Sequence, residues 1–185
     1  RIPFFFVLGE VRSPGKYNLP QGTNVMTAVS MGGGLKDEAG EEVAIIRPGN
    51  PLSEIMTLEE AESKKVPIIT LNLRDALAGV PKHNAPIQGG DSIIVSKMPF
   101  FFVMGEVRTP GKYNLERGTT VLRGISMAGG LRDAGEEVVI IRPNNPHSGG
   151  MTLEEAEAKK VPIVALNLKD VLADDPKHNL PIQAF

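Results

Sequence analysis

The sequence predicts an α+β protein made of two tandem copies of one unit, each a mixed sheet with one main helix packed across it. Three observations carry this. The stretch Phe4 to Leu19 returns almost unchanged as Phe100 to Leu115. In each copy a short helical stripe stopped by glycines follows that stretch. Strand-like apolar runs then alternate with short helical segments, an order that segregates the helices rather than winding them between parallel strands.

The repeat decides the domain count. The second copy follows the first at an offset of 96, which falls to 95 once Asp37-Glu38-Ala39-Gly40 becomes Asp133-Ala134-Gly135. Roughly two-thirds of aligned positions are identical, more than a shared fold alone demands. The expected domains are 1–98 and 99–185, joined by Ser96-Lys97-Met98-Pro99, a joint that allows a bend but little free reorientation. The second copy stops at Gln183-Ala184-Phe185, which aligns with Gln88-Gly89-Gly90, so its last strand is expected to be missing. Because the chain starts at Arg1 directly before a strand, it reads as a piece of something larger.

Each unit opens on a β-hairpin. Phe4-Phe5-Phe6-Val7-Leu8 is joined to Lys16-Tyr17-Asn18-Leu19 through Ser13-Pro14-Gly15-Lys16, and Thr109-Pro110-Gly111-Lys112 repeats the turn. Proline pre-sets φ near −65° and glycine tolerates positive φ, so Pro14-Gly15 and Pro110-Gly111 are expected as structural type II turns. Gly9 and Gly105 fall inside the first strand, where glycine signals a bulge or a close backbone approach. Six of the seven Phe residues lie in the two hairpins, which should anchor two separate cores.

Thr23 is the expected N-cap of the next helix, with Val25, Ala28, Val29 and Met31 on one stripe. Gly32-Gly33-Gly34 stops it, and Gly129-Gly130 stops its twin. Glu42 to Pro48 reads as a mostly buried strand closed by proline, matched by Glu137 to Pro143. Thr57-Leu58-Glu59-Glu60 is a capping box on a short surface helix. Val66 to Leu73 is a strand whose Pro67 confines it to an edge or an end. About one helical turn follows at Arg74 to Ala78, and Gly90-Asp91-Ser92-Ile93-Ile94-Val95 supplies a final strand. This order is the ubiquitin-like β-grasp arrangement. The expected cores are Val7, Val11, Val25, Val29, Ile45 and Leu71, and Val103, Val107, Val121, Ile125, Ile140 and Leu166.

Composition narrows the function. A formal net charge of −2 gives no case for nucleic-acid binding. Without Cys there is no disulfide, thiolate zinc site, iron–sulfur cluster or cysteine nucleophile. No apolar run approaches the ~20 residues that a membrane-spanning helix needs. Gly32-Gly33-Gly34-Leu35-Lys36 follows a helix and lacks the ending of a phosphate loop. His83, His147 and His178 fit no metal spacing and are expected in solvent. No carboxylate pair or nucleophile–base pair stands out. The chain is therefore expected to be no enzyme, with no cofactor and no metal. The candidate ligand or subunit contacts lie beside the turns, at Arg12, Lys16 and Tyr17 with Arg108, Lys112 and Tyr113. Tyrosine offers a flat face with a hydroxyl, and arginine a fork of donors. Arg47 and Arg142, at strand ends, are further candidates for anionic groups.

The ordered set Gly9-Glu10-Val11-Arg12-Ser13-Pro14-Gly15-Lys16-Tyr17, Gly33-Gly34-Leu35, Ile45-Ile46-Arg47, Leu71-Asn72-Leu73 and Gly90-Asp91 resembles the soluble-ligand-binding β-grasp (SLBB) domain. Copy two repeats it at Gly105 to Tyr113, Ala128 to Leu131, Ile140-Ile141-Arg142 and Leu166-Asn167-Leu168. The tandem layout resembles bacterial polysaccharide export proteins of the outer membrane. Copy one departs from the pattern with Gly32 in place of Ala, and both copies carry a longer charged insertion, Met56 to Lys65 and Met151 to Lys160. The resemblance implies a non-catalytic module in the periplasm, tied to the outer membrane through parts outside this segment. It implies polysaccharide, ring-forming copies of the same chain and an inner-membrane polysaccharide co-polymerase as partners. Two other readings are a soluble small-ligand or sugar receptor domain and an accessory domain of a larger enzyme complex.

Overall fold

The computed structural model describes residues 2–50, 55–133, 135–142 and 150–183. Pro143, His147, Ala184 and Phe185, which figure in the expectations above, lie outside the described residues. The chain divides into two compact units, Arg1–Met98 and Pro99–Phe185.

Unit 1 runs β1 (Phe4–Gly9), β2 (Gly15–Asn18), α1 (Val25–Met31), β3 (Ala39–Ile46), α2 (Leu58–Ser63), β4 (Ile68–Asn72), α3 (Leu73–Leu77), a 3-10 turn at Pro81–His83, and β5 (Ser92–Lys97). The sheet order is β2-β1-β5-β3-β4. Strand β5, last in the unit, lies at the centre, parallel to β1 and antiparallel to β3. Alternation along β1 and β5 sends Phe5, Val7, Ile93 and Val95 into one core with Val25, Ala28 and Val29 of α1. Val11, Val43, Ile45 and Leu71 complete that core, so all six residues expected there are buried. Strand β3 also buries Ala44 and Ile46 on its other face. Its sequence therefore reads as a continuous apolar run rather than an alternating one. Pro67 precedes β4, which is an edge strand as its proline requires.

Three local expectations are corrected. The positive-φ glycine of the hairpin is Gly9, at φ 80°, and not Gly15. Gly15 is a strand residue paired with Val7, so Pro14-Gly15 forms no type II turn; Pro110-Gly111 behaves alike, with Gly111 paired to Val103. Close approach sets the requirement at Gly9, because a Cβ there would lie 2.1 Å from the Val95 carbonyl oxygen. The N-cap of α1 is Asn24, whose Oδ1 accepts from Thr27 N at 2.9 Å. Thr23 is buried one residue earlier, donating its hydroxyl to Pro20 O, while its own carbonyl accepts from Ile87 N. Finally, His83 is half-buried and its Nδ1 accepts from Asn72 N at 3.0 Å, which makes it a clasp between β4 and the 3-10 turn.

Unit 2 repeats the elements as β6 (Phe100–Val103), β7 (Gly111–Asn114), α4 (Val121–Met127), β8 (Glu137–Ile141), α5 (Leu153–Ala158), β9 (Ile163–Asn167) and α6 (Leu168–Leu172). Its strands form two ribbons, β6-β7 and β8-β9. The registers match unit 1, with Phe101 opposite Tyr113 as Phe5 is opposite Tyr17. A groove of about 540 Å³ is lined by residues of both ribbons and of α4, among them Phe102, Val103, Val138 and Ile140. Val107, Val121, Ile125 and Leu166 are buried as expected, but Val103 and Ile140 are only half-buried. They line that groove, where unit 1 packs β5 between the counterpart strands. Phe102 is 36% exposed against 8% for Phe6, for the same reason.

Gly9 ends β1, whereas its counterpart Gly105 lies past the end of β6 and not inside the strand as expected, and the two make a paired test. Gly9→Ala adds a backbone collision to left-handed strain, and unit 1 should lose about 2–5 kcal/mol. Gly105, at φ 90°, has nothing within 4 Å of its Cβ position among the described residues. Gly105→Ala should cost unit 2 only about 1–2 kcal/mol. Hydrogen exchange of each unit's amides measures both; equal losses would show that β5 does not press on Gly9.

Candidate functional site

The hairpin and the glycine loop that follows the helix form one surface in each unit. Past β1 the chain makes an isolated bridge from Val11 to Leu35. Arg12 N donates to Gly34 O at 3.0 Å and Ser13 N to Gly32 O at 2.8 Å. The approach is close, since a Cβ at Gly33 would lie 3.3 Å from Arg12 Cβ. Gly33 and Gly34 both have positive φ, which lets the loop turn back against the hairpin. Unit 2 repeats the seam: Arg108 N donates to Gly130 O and Thr109 N to Ala128 O.

The candidate contact residues divide on this surface. Tyr17 packs its ring 6.1 Å from that of Phe5, and its hydroxyl donates to Ser13 O, clasping the hairpin loop. Lys16 places Nζ 3.8 Å from the centroid of Phe4. Tyr113 and Lys112 do the same with Phe101, Thr109 and Phe100. These four side chains hold the hairpin in shape. Arg12 and Arg108 are exposed beside the glycine loops, and neither forms an ion pair among the described residues. The structure thus brings Arg12, Lys16 and Tyr17 onto one hairpin, with only the arginine uncommitted.

Arg47 does not join them. At the end of β3 it points at the head of β5, with Nε 3.0 Å from Asp91 Oδ1 and Nη2 2.7 Å from Oδ2. Nη2 also donates to Pro86 O. Asp91 is fully buried and accepts a further bond from Gln88 N at 2.8 Å. The hydrogen bond to Asp91 raises the guanidinium's pKa above its ordinary value, burial opposing and charge attraction assisting. Arg47 is therefore corrected from a ligand contact to one half of a structural ion pair, because the strand order sets it against the start of the central strand. The sequence displayed Gly90-Asp91 only as a motif, and the pair joins positions 44 residues apart.

Arg142 stands at the same place in unit 2, its backbone N donating to Pro162 O as Arg47 N does to Pro67 O. Its Nε is buried and has no hydrogen-bond partner among the described residues. No group of three or more His, Asp or Glu that could hold a metal ion occurs among the described residues. None of the described helices is long and apolar enough to cross a membrane.

Truncating one member of a buried pair strands the other. Asp91→Ala should cost unit 1 about 3–5 kcal/mol, whereas Arg142→Ala, which deletes a donor already unpaired, should cost unit 2 about 1 kcal/mol or less. Thermal and urea melts of the two variants check this, and a severe loss in Arg142→Ala would mean that its guanidinium is satisfied.

With this geometry in place, comparison with known proteins is specific. No curated protein gives a significant match to the chain. A family model, described as SLBB domain, matches residues 4–55 and 100–153, one segment in each unit. The matched segments cover the hairpin, the helix, the glycine loop and the strand ending in Arg47 or Arg142. SLBB domains are ligand-binding modules found in polysaccharide export proteins. The chain belongs to the SLBB domain family, in tandem and with an α+β fold of the β-grasp kind.

Proposed function

We propose that the chain is a non-catalytic module of a polysaccharide export protein of the bacterial cell envelope, and that it works by associating with its own kind and guiding or holding polymer. The observation that carries this is the surface repeated in both units. A rigid hairpin and a bare glycine loop meet side by side, with one exposed guanidinium, Arg12 or Arg108, beside the seam. Glycine leaves the backbone open to a bulky neighbour such as a sugar ring. Arginine supplies several donors in a fixed plane, suited to hydroxyls, to uronate carboxylates or to backbone carbonyls of a neighbouring copy. Two such surfaces on one chain bring avidity for a repeating polymer, which weak single contacts need. The setting that fits is the periplasm, with an inner-membrane polysaccharide co-polymerase as the upstream partner.

The test is affinity electrophoresis of the whole chain through gels cast with a polyuronate or with dextran, against a gel holding neither. Retardation in one of the polymer gels is expected, and Arg12→Ala/Arg108→Ala should remove most of it. Each lost charge-assisted hydrogen bond is worth about 1.5–3 kcal/mol, or roughly a 10- to 100-fold change in affinity. No retardation in any polysaccharide gel, together with a monomeric mass in sedimentation velocity, would remove the support for both polymer binding and association. Release of reducing sugar from the polymer by purified chain would overturn the non-catalytic part.

A further inference from the structure

The same histidine stands in both units with different partners. In unit 1, His83 Nδ1 accepts from Asn72 N at 3.0 Å, at the end of β4, and Nε2 lies 3.6 Å from Asp75 Oδ2 on α3. A ring nitrogen that accepts carries no proton, so this bond assigns a neutral ring with its hydrogen on Nε2, facing the carboxylate. In unit 2, His178 Nε2 lies 3.7 Å from Asp170 Oδ2, the counterpart contact, but Nδ1 lies 3.4 Å from Asp175 Oδ2. A neutral ring would turn a lone pair toward one of these carboxylates, whereas the imidazolium offers a donor to each. The added carboxylate is a sequence difference, since Asp175 aligns with Val80. Asp175 also accepts from Lys177 N at 2.9 Å, and that bond, assisted by His178, holds its carboxyl below the usual range.

Each histidine precedes the residues that dock its loop on the main helix. Asn84 Oδ1 accepts from Met26 N and Asn179 Oδ1 from Leu122 N. The next carbonyls, of Ala85 and Leu180, accept from Val25 N and Val121 N. These donors are among those that the first turn of a helix cannot satisfy internally. The histidine therefore ties the loop that caps α1 or α4 to the rest of its own unit.

We propose that the two histidines are proton-operated clasps of opposite sense: acid loosens the clasp of His83 in unit 1 and tightens that of His178 in unit 2. A proton on His83 Nδ1 would set two N–H groups head to head, at a side chain only 18% exposed. Asp75 attracts a charged ring, but it already faces the Nε2 hydrogen and gains no new bond from the second proton. Lys82, the neighbouring residue in the turn, adds a like charge. Around His178 the charged groups are Asp170 and Asp175, with Lys177 beside them, while Asp174 accepts from Asn179 Nδ2. The sign follows from the count of protons. Unfolding lets His83 take up a proton that its clasp excludes, so that clasp strengthens as pH rises. Unfolding frees His178 to lose a proton that its carboxylates hold, so that clasp weakens as pH rises. Both changes fall between about pH 5 and about pH 8, where imidazole changes its charge.

The experiment is NMR of the whole chain across that pH range. It reads the ring nitrogen shifts of both histidines and the exchange protection of backbone amides, corrected for the intrinsic pH dependence of exchange. At the upper end His83 should show the tautomer with its hydrogen on Nε2. On acidification the protection of the Asn72 amide should fall by roughly 2- to 10-fold, the weight of one hydrogen bond. The Leu122 amide should gain protection over the same range. His83→Gln keeps an acceptor that does not titrate and should leave Asn72 protection level, and Asp175→Asn should remove the gain in unit 2. The parent's own shifts and protection decide the matter even where a variant fails to fold. A hydrogen on Nδ1 of His83 at the upper end would overturn the proposal. So would Asn72 protection that acid leaves unchanged, or a response of the same sign in both units.

Discussion

The central strand is the constraint on which the rest of this fold depends. In unit 1, β5 is the last strand made and, among the described residues, the only one that pairs with both β1 and β3. It supplies Ile93 and Val95 to the core, accepts the close approach of Gly9, and brings Asp91 to Arg47. None of these contacts is local in sequence, so each carries loop-closure entropy that the buried pair and apolar area offset. The pair adds less stability than specificity, since two charges leave water to form it and their attraction largely repays that cost. What it fixes is register. With Asp91 held by two Arg47 nitrogens and by Gln88 N, a slip of β5 by one residue would turn Ile93 and Val95 out of the core.

The two copies can be compared strand by strand, because their sequences align closely from the first strand to the second edge strand. Strand β1 has six residues and β3 eight, whereas β6 has four and β8 five. The shortening falls where β5 lies between β1 and β3. The parts that do not lean on β5 are reproduced closely: the hairpin registers, the ring pairs, the lysine over phenylalanine, and the capping boxes at Thr57 and Thr152. Even the asparagine that reaches the first turn of the main helix is kept, Asn84 Oδ1 accepting from Met26 N and Asn179 Oδ1 from Leu122 N. Local chemistry builds the hairpin and the caps, and the central strand turns them into one sheet.

That division also explains which features were legible in the sequence. The repeat, the helical stripe at Val25, Ala28 and Val29, and the Thr-x-x-Glu box are short-range signals, and the structure carries them where periodicity placed them. The misread positions are those where a tertiary contact chose between two local options. Thr23 and Asn24 are both fair caps, and the pairing of Thr23 with Ile87 leaves the cap to Asn24. Gly9 and Gly15 are both permissive, and the approach of Val95 decides that Gly9 takes the positive φ. Arg47 looked like a free strand-end cation because its partner lies across the sheet, in a strand whose position no local pattern reveals. The clasp of His83 on Asn72 N was hidden for the same reason.

Comparing the copies also separates two kinds of arginine. Arg47 and Arg142 end equivalent strands, yet one is satisfied by Asp91 and the other has a buried nitrogen without a partner among the described residues. A residue whose state follows the central strand belongs to the construction of the sheet. Arg12 and Arg108 behave oppositely: both are exposed, and both lie against a positive-φ glycine with Cβ contact distances of 3.3 Å. Their setting is the same in both units, because it depends only on the hairpin and the glycine loop. The hairpin is stiffened locally by the tyrosine clasp and by a lysine–aromatic contact worth about 0.5–1 kcal/mol at an exposed site. A surface kept rigid by its own residues loses little entropy when it meets a polymer or a neighbouring subunit. That independence from the sheet is why the proposed function rests on the Arg12 and Arg108 seams rather than on the strand-end arginines.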